Sequence, residues 1–208
     1  MPTASARSGN RRARAVRAAR TPAKTPGPRV VRQPPSRTFD ERAFRSAVGR
    51  FATGVIVVTV GPRRDPRAMT ANAFMSGSLE PPLIVVSVGR TARMHERLNG
   101  ARRFGVSILD REQEPVSRHF AGQAVPHFSP ELGVLAGVPV LARAAVVIAV
   151  RVEHRYACGD HTLFVGKVEE LAVNEGAVPL VYHNGRYRAL EALSATPDTS
   201  PQSYPSFF

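Results

Sequence analysis

The sequence predicts a mainly β protein with short helices, folded as an antiparallel barrel. Short apolar, β-branched segments recur from Val55 to Leu190, and strand generally follows strand with no helix between. That order argues against a doubly wound parallel sheet, whose strands alternate with helices. Asn184-Gly185, between Leu180–Tyr182 and Tyr187–Leu190, reads as a tight hairpin turn because both residues tolerate positive φ.

Folding is expected to begin at Thr38. Thr38-Phe39-Asp40-Glu41 has the form of a capping box, and Phe44, Ala47, Val48 and Phe51 then share one helix face. Val55–Val60 reads as a strand, 61–67 as a turn, 68–74 as the returning strand and 75–79 as a loop. Leu83–Val88 is a buried strand. Thr91 is positioned to cap a short helix with Met94 and Leu98 inward, and Asn99-Gly100 ends it. Phe104–Leu109 is a strand. Asp110 with Gln113 opens a further short helix carrying Val116 and Phe120. The Gly- and Pro-rich stretch 125–140 reads as a surface excursion. Ala144–Tyr156 and Thr162–Val173 are long strands joined tightly through Gly159.

Charge divides the chain. Residues 1–39 hold nine Arg, one Lys and no acid, which is +10 of the formal +13. The remainder carries 19 basic and 16 acidic side chains. Residues 1–37 therefore read as a disordered Arg/Pro-rich arm, a leader or translated upstream sequence, with a transit peptide as the alternative. Residues 38–192 form the expected domain, and 193–208 a tail. Cys158 stands alone, so no internal disulfide forms and a cytoplasmic, reducing setting is expected. No apolar run approaches the ~18 residues of a membrane helix. The arm's charge could neutralise phosphates. It holds no aromatic residue before Phe39 and no recognition fold, which disfavours nucleic acid as the partner.

The usual signatures of enzyme chemistry are missing. No G-x-G-x-x-G follows a strand, no Walker A motif is complete, no G-x-S-x-G is present, and the six histidines lack metal-ligand spacing. No metal is expected. Such a protein fits chemistry that belongs to a bound cofactor. Thr91, Arg90 and Arg93 with Ser87, where a strand passes into a helix, form a candidate anion site or else a solvated basic loop.

Four segments taken in order carry a resemblance. They are Thr70-Ala71-Asn72-Ala73-Phe74 with Leu79-Glu80-Pro81-Pro82-Leu83; Ser87 to Arg93; Gly159-Asp160-His161; and Tyr182-His183-Asn184-Gly185-Arg186-Tyr187. Together, over about residues 39–191, they resemble the flavin reductase-like family. The resemblance implies an FMN-binding split barrel that passes a hydride from NADH or NADPH to FMN or FAD. It implies that Thr70, Ala71 and Asn72 contact the flavin ring and ribityl chain, with the N–H groups of Ala73 and Phe74 at the ring's polar edge. Ser87, Arg90, Thr91 and Arg93 would hold the flavin phosphate. His161 would face the nicotinamide, with Tyr182 and Arg186 nearby and Phe120 bordering the pocket. Each segment also has a plainer reading: a polar strand end, a solvated hairpin histidine, or core aromatics beside surface charge.

The chain departs from the family pattern at Gly77 and Ser78, and at Arg67 and Met69, where small residues are common. The implied protein is a homodimer supplying reduced flavin to a separate flavin-dependent monooxygenase. The alternative is a flavin-binding module without reductase activity.

Overall fold

The computed structural model describes residues 39–123 and 125–191, and every structural statement below concerns those residues. The arm 1–37, Thr38 and the tail from 192 lie outside them. Helix α1 spans Glu41–Val48, and its N-terminus is capped by Asp40, whose carboxylate accepts from the Ala43 N–H at 2.7 Å. The N-cap is therefore Asp40 and not the expected Thr38, because the helix starts at Glu41 and the Asp40 carboxylate is the one that reaches its first turn. The expected apolar face does not enter the core of this chain: Val48 and Phe51 are 52% and 77% exposed.

Twelve strands follow. They are β1 (Thr53–Gly54), β2 (Ile56–Val60), β3 (Arg67–Ala71), β4 (Phe74–Leu79), β5 (Pro82–Gly89), β6 (Arg103–Ile108), β7 (Leu132–Leu135), β8 (Val138–Leu141), β9 (Val146–Cys158), β10 (His161–Val173), β11 (Val181–His183) and β12 (Arg186–Arg188). Helix α2 (Arg93–Gly100) lies between β5 and β6, and α3 (Glu114–Phe120) follows a 3-10 turn at Arg111–Gln113. Seven strands form one sheet in the order β3-β2-β6-β9-β10-β5-β4, with every neighbour antiparallel. The strands β1-β11-β12 make a small second sheet, and β7-β8 a separate hairpin.

The sheet order explains the architecture. Strands β3 and β4 are the two opposite edges, yet only Asn72-Ala73 separates them in sequence. The sheet must curl until its edges meet at that dipeptide. The edges do not pair with each other, so the barrel stays split there, and the expected antiparallel split-barrel fold is observed.

Three sequence expectations are corrected. Residues 75–79 are strand, not loop. Phe74 to Leu79 pairs with Val86 to Pro82, and a register shift between Ser76 and Ser78 absorbs Gly77. Helix α2 is capped by Ala92 rather than Thr91, and no side chain bonds the helix start. The stretch 125–140 is not a plain surface excursion. Its second half enters β8, where Val138, Val140 and Leu141 are buried. Ala136 and Gly137, both at positive φ, make the turn that sends β8 back over the sheet.

The apolar run of β2 is buried on both faces, because two cores meet across it. Ile56, Val58 and Val60 face the interior of the curled sheet with Val86, Phe104, Phe164 and, from α2, Met94 and Leu98. Val55 and Val57 face the other side with Leu109, Val116 and Leu180. Burying each such side chain contributes roughly 1.5–3 kcal/mol. Helix α2 is therefore a plug in the barrel, and α3 is a cover on its outside. Between them they hold the two walls of the groove described next.

Candidate functional site

The groove follows β3. Its first part is a cavity of about 210 Å³ lined by Thr70, Ala71 and Asn72 from β3 and the barrel split, by Ser117 of α3, and by Tyr182 and Tyr187. Its second part is a larger cavity of about 720 Å³, with Arg67 and Met69 on β3, Arg93 and Arg97 on α2, and His119 and Phe120 on α3. Ala121, at the end of α3, lines both. One end is thus neutral with hydroxyl, amide and aromatic walls. The other is cationic, and no carboxylate lines it.

Hydrogen bonds fix the neutral end. Thr70 Oγ1 donates to the Ser117 carbonyl at 2.7 Å, which ties the end of β3 to α3. Ser117 Oγ and the Tyr187 hydroxyl are 2.8 Å apart, Tyr182 meets Tyr187 edge to face at 5.4 Å, and Arg118 lies 5.0 Å over the Tyr187 ring. Asn72 Nδ2 donates to Thr53 Oγ1 at 3.3 Å. At the split, the Phe74 N–H is taken by the Asn72 carbonyl at 3.0 Å and the Ala73 carbonyl accepts from the Ser87 N–H at 3.0 Å. The Phe74 N–H thus donates within the chain across the split. Its side chain packs on the barrel core.

A second cluster sits at the β9–β10 turn. Gly159 adopts positive φ, and Arg90 straps the turn: its N–H donates to the Asp160 carbonyl at 2.9 Å and its guanidinium to the Gly159 carbonyl at 2.5 Å. Arg90 is thus engaged in holding this turn. His161 Nδ1 is 2.7 Å from Asp160 Oδ1. The ring lies over Gly89, where a Cβ would come within 3.6 Å of Nε2. The His161 hydrogen bond, and then its charge, hold the Asp160 carboxyl below the usual carboxylate value. Removing the imidazole as His161→Ala should therefore raise the Asp160 pKa toward that of an ordinary aspartate. A carbon-detected NMR titration reads this, and an unmoved titration would mean the pair does not persist in solution.

The structure gathers Thr70, Ala71, Asn72, Tyr182, Arg93 and Phe120 along one groove. Ala73 and Phe74 stand at the split beside it. Ser87, half-buried on β5, joins the split through its backbone. Arg90 and His161 form the separate turn cluster, and His95 of α2 meets Thr162 at 2.8 Å near it. Thr91 is exposed in the turn before α2, and Arg186 is exposed on β12; neither lines the groove. Sequence reasoning missed Arg97, His119 and Ser117 as groove residues, and read Arg67 and Met69 only as departures. The available signals were the i, i+4 spacing of Arg97 from Arg93 and the adjacency of His119 to Phe120.

Among the described residues no group of three or more His, Cys, Asp or Glu could hold a metal ion, and no helix is long and apolar enough to cross a membrane. A different cavity of about 310 Å³, which includes Glu112, Glu131 and Arg143, contains none of the expected site residues.

Comparison with known proteins bears on this geometry. The flavin reductase like domain matches residues 48–191. An NADH-dependent flavin reductase of Rhodococcus sp is 45% identical over 72% of this chain and 86% of its own length. The reductase component of 4-hydroxyphenylacetate 3-monooxygenase from Thermus thermophilus is 43% identical, over 72% of this chain and 97% of its own. The solved Streptomyces globisporus NADH:FAD oxidoreductase in complex with NAD and FAD fragments superposes with a TM-score of 0.69 at 37% identity, covering 77% of this chain and 96% of that one. The match spans the barrel strands, the split and both side-chain clusters, and this chain belongs to the flavin reductase-like domain family.

Proposed function

We propose that the protein is an NADH-dependent flavin reductase whose product serves a separate flavin-dependent monooxygenase. One observation carries the reading: the groove along β3 has a neutral, aromatic-walled end at the barrel split and a cationic end between α2 and α3. A flavin has the same polarity along its length, from a flat ring to a phosphate, so the residues present fit it. Thr70, Ala71 and Asn72, with Tyr182, would hold the ring and ribityl chain. Arg93 and Phe120 would border the phosphate end. When bound, the flavin supplies the acceptor for the hydride carried by the reduced nicotinamide. The chain's own work is alignment, because bringing reactants to ~3–3.5 Å in the right orientation lowers the barrier without a protein nucleophile. His161 is assigned to orient the nicotinamide, with Asp160 fixing its Nδ1. Arg90, which straps the turn, positions His161.

NADH is favoured over NADPH by the names of the Rhodococcus and Streptomyces globisporus relatives. The Thermus relative is named as a monooxygenase's reductase component, which favours the same partner class here. Domain 38–192 is taken as the working unit, with the basic arm and the tail outside it. A homodimer is proposed too. Strand β4 is a sheet edge at the split, with Met75 59% and Leu79 68% exposed, and a second copy would cover it. Sedimentation at several protein concentrations checks that assignment.

The direct test is oxidation of NADH under air by the purified protein with added FMN or FAD. Turnover is expected with at least one flavin. Bound flavin without any NADH oxidation would select the flavin-binding module instead, and no turnover with either flavin would sink the enzyme assignment.

A further inference from the structure

Building on the flavin reductase reading, we infer that the cationic end of the groove is made for a dinucleotide: Arg67 and Arg97 receive the adenosine-side phosphate of FAD, so that the protein prefers FAD to FMN. Arg93 and Arg97 stand at i, i+4 on α2, both exposed, and both line the 720 Å³ cavity. Neither makes a hydrogen bond or ion pair among the described residues. Like charges at that spacing repel along a helix face. An unpaired couple of this kind gains most from an anion between and beyond them. Arg67 faces them from β3 and is only partly committed, to Asp65 at 3.1 Å, with its side chain 55% exposed.

The spacing argues for two phosphates rather than one. Arg67 and Arg97 also line the next cavity, of about 410 Å³, which continues past them between the β2–β3 turn and the end of α2. Its walls include Val60, Pro62, Ala101 and Val138, an apolar surface suited to an adenine ring, together with Asp65, the carboxylate partner of Arg67. Arg103 on its wall is already paired with Glu169 at 2.6 Å and Arg67 is shared with Asp65 at 3.1 Å, so Arg97 is the cation most open to a ligand there. Arg67 is three residues from Thr70, roughly 10 Å along the strand. A mononucleotide phosphate held by Arg93 would leave the cavity beyond Arg97 unfilled. A dinucleotide would use it.

Adenosine diphosphate chemistry is shared by FAD and by NADH, and the test separates them. The full-length protein is titrated with FAD and with FMN, following flavin fluorescence, alongside NADH steady-state kinetics. FAD is expected to bind at least ~10-fold tighter than FMN, the scale of one charge-assisted phosphate contact. Arg97→Ala should reduce that ratio by about 10-fold, and Arg97→Lys, which keeps the charge, should restore part of it. Arg97 is exposed on α2, and a melting curve confirms that each variant folds. Equal affinities for the two flavins overturn the inference and leave the reductase reading intact. So does a ratio unchanged in Arg97→Ala. A raised KM for NADH with an unchanged flavin ratio assigns the cations to the nicotinamide dinucleotide and also overturns it. Binding of neither flavin removes the reductase reading and this inference together.

Discussion

His161→Ala is expected to lower NADH oxidation by about 10–100-fold, the ~1.4–2.7 kcal/mol of one lost orienting contact. The imidazole is held on three sides. Asp160 Oδ1 lies 2.7 Å from Nδ1, Gly89 gives the ring room to lie against β5, and the two Arg90 bonds fix the turn that carries it. Nε2 is left as the ring atom that can meet a ligand. Flavin affinity should change little, because the flavin is assigned to the β3 groove, which His161 does not line. Separate flavin titrations and NADH kinetics on the same variant check both statements. A loss confined to flavin affinity would place His161 in the flavin site and end the nicotinamide assignment. Gly89→Val tests the same geometry from below, since a larger side chain there would lift the ring from its seat. It should impair turnover in the same direction.

Gly105→Ala is expected to destabilise the protein by roughly 2–5 kcal/mol and to lower the melting temperature by about 5–15 °C. Gly105 is buried in β6, and a Cβ there would run into the Pro139 carbonyl oxygen and come within 2.5 Å of Thr59 Oγ1. Those two groups are hydrogen-bonded to each other, with the buried Thr59 hydroxyl donating to the Pro139 carbonyl. The methyl group must therefore displace β8 or leave both polar groups without a partner in the core. Neither neighbour is the free end of a flexible side chain, so little can give way. Differential scanning calorimetry on the variant decides the matter. A melting point within a degree of the parent would mean that β8 does not press on β6 as described.

The strand-rich class, the tight turn at Asn184-Gly185, the long β9–β10 hairpin and the capping box of Asp110 and Gln113 were legible from residue order. Each depends on local chemistry: alternation or β-branching, positive φ, or a side chain reaching a nearby backbone group. Thr70–Phe74 and Gly159–His161 were legible as candidate segments, the second because the turn needs the positive φ of Gly159. Local reading failed where long-range pairing overrode it. Ser76-Gly77-Ser78 looks like a loop, but β5 beside it supplies a ladder. The Gly- and Pro-rich excursion conceals β8, whose burial comes from β6 and β2 in a distant part of the chain. Arg97 and His119 belong to different helices, so only the packing of α2 inside the barrel and α3 outside it brings them to one groove. The sequence by itself determined most of the strands, the tight turns at Gly159 and Asn184-Gly185, and the segments from which part of the candidate site is drawn. The tertiary structure alone decided that Arg90 straps a turn, while Arg67, Arg93 and Arg97 line a single groove, because which charges share a cavity is set by contacts between residues far apart in the chain.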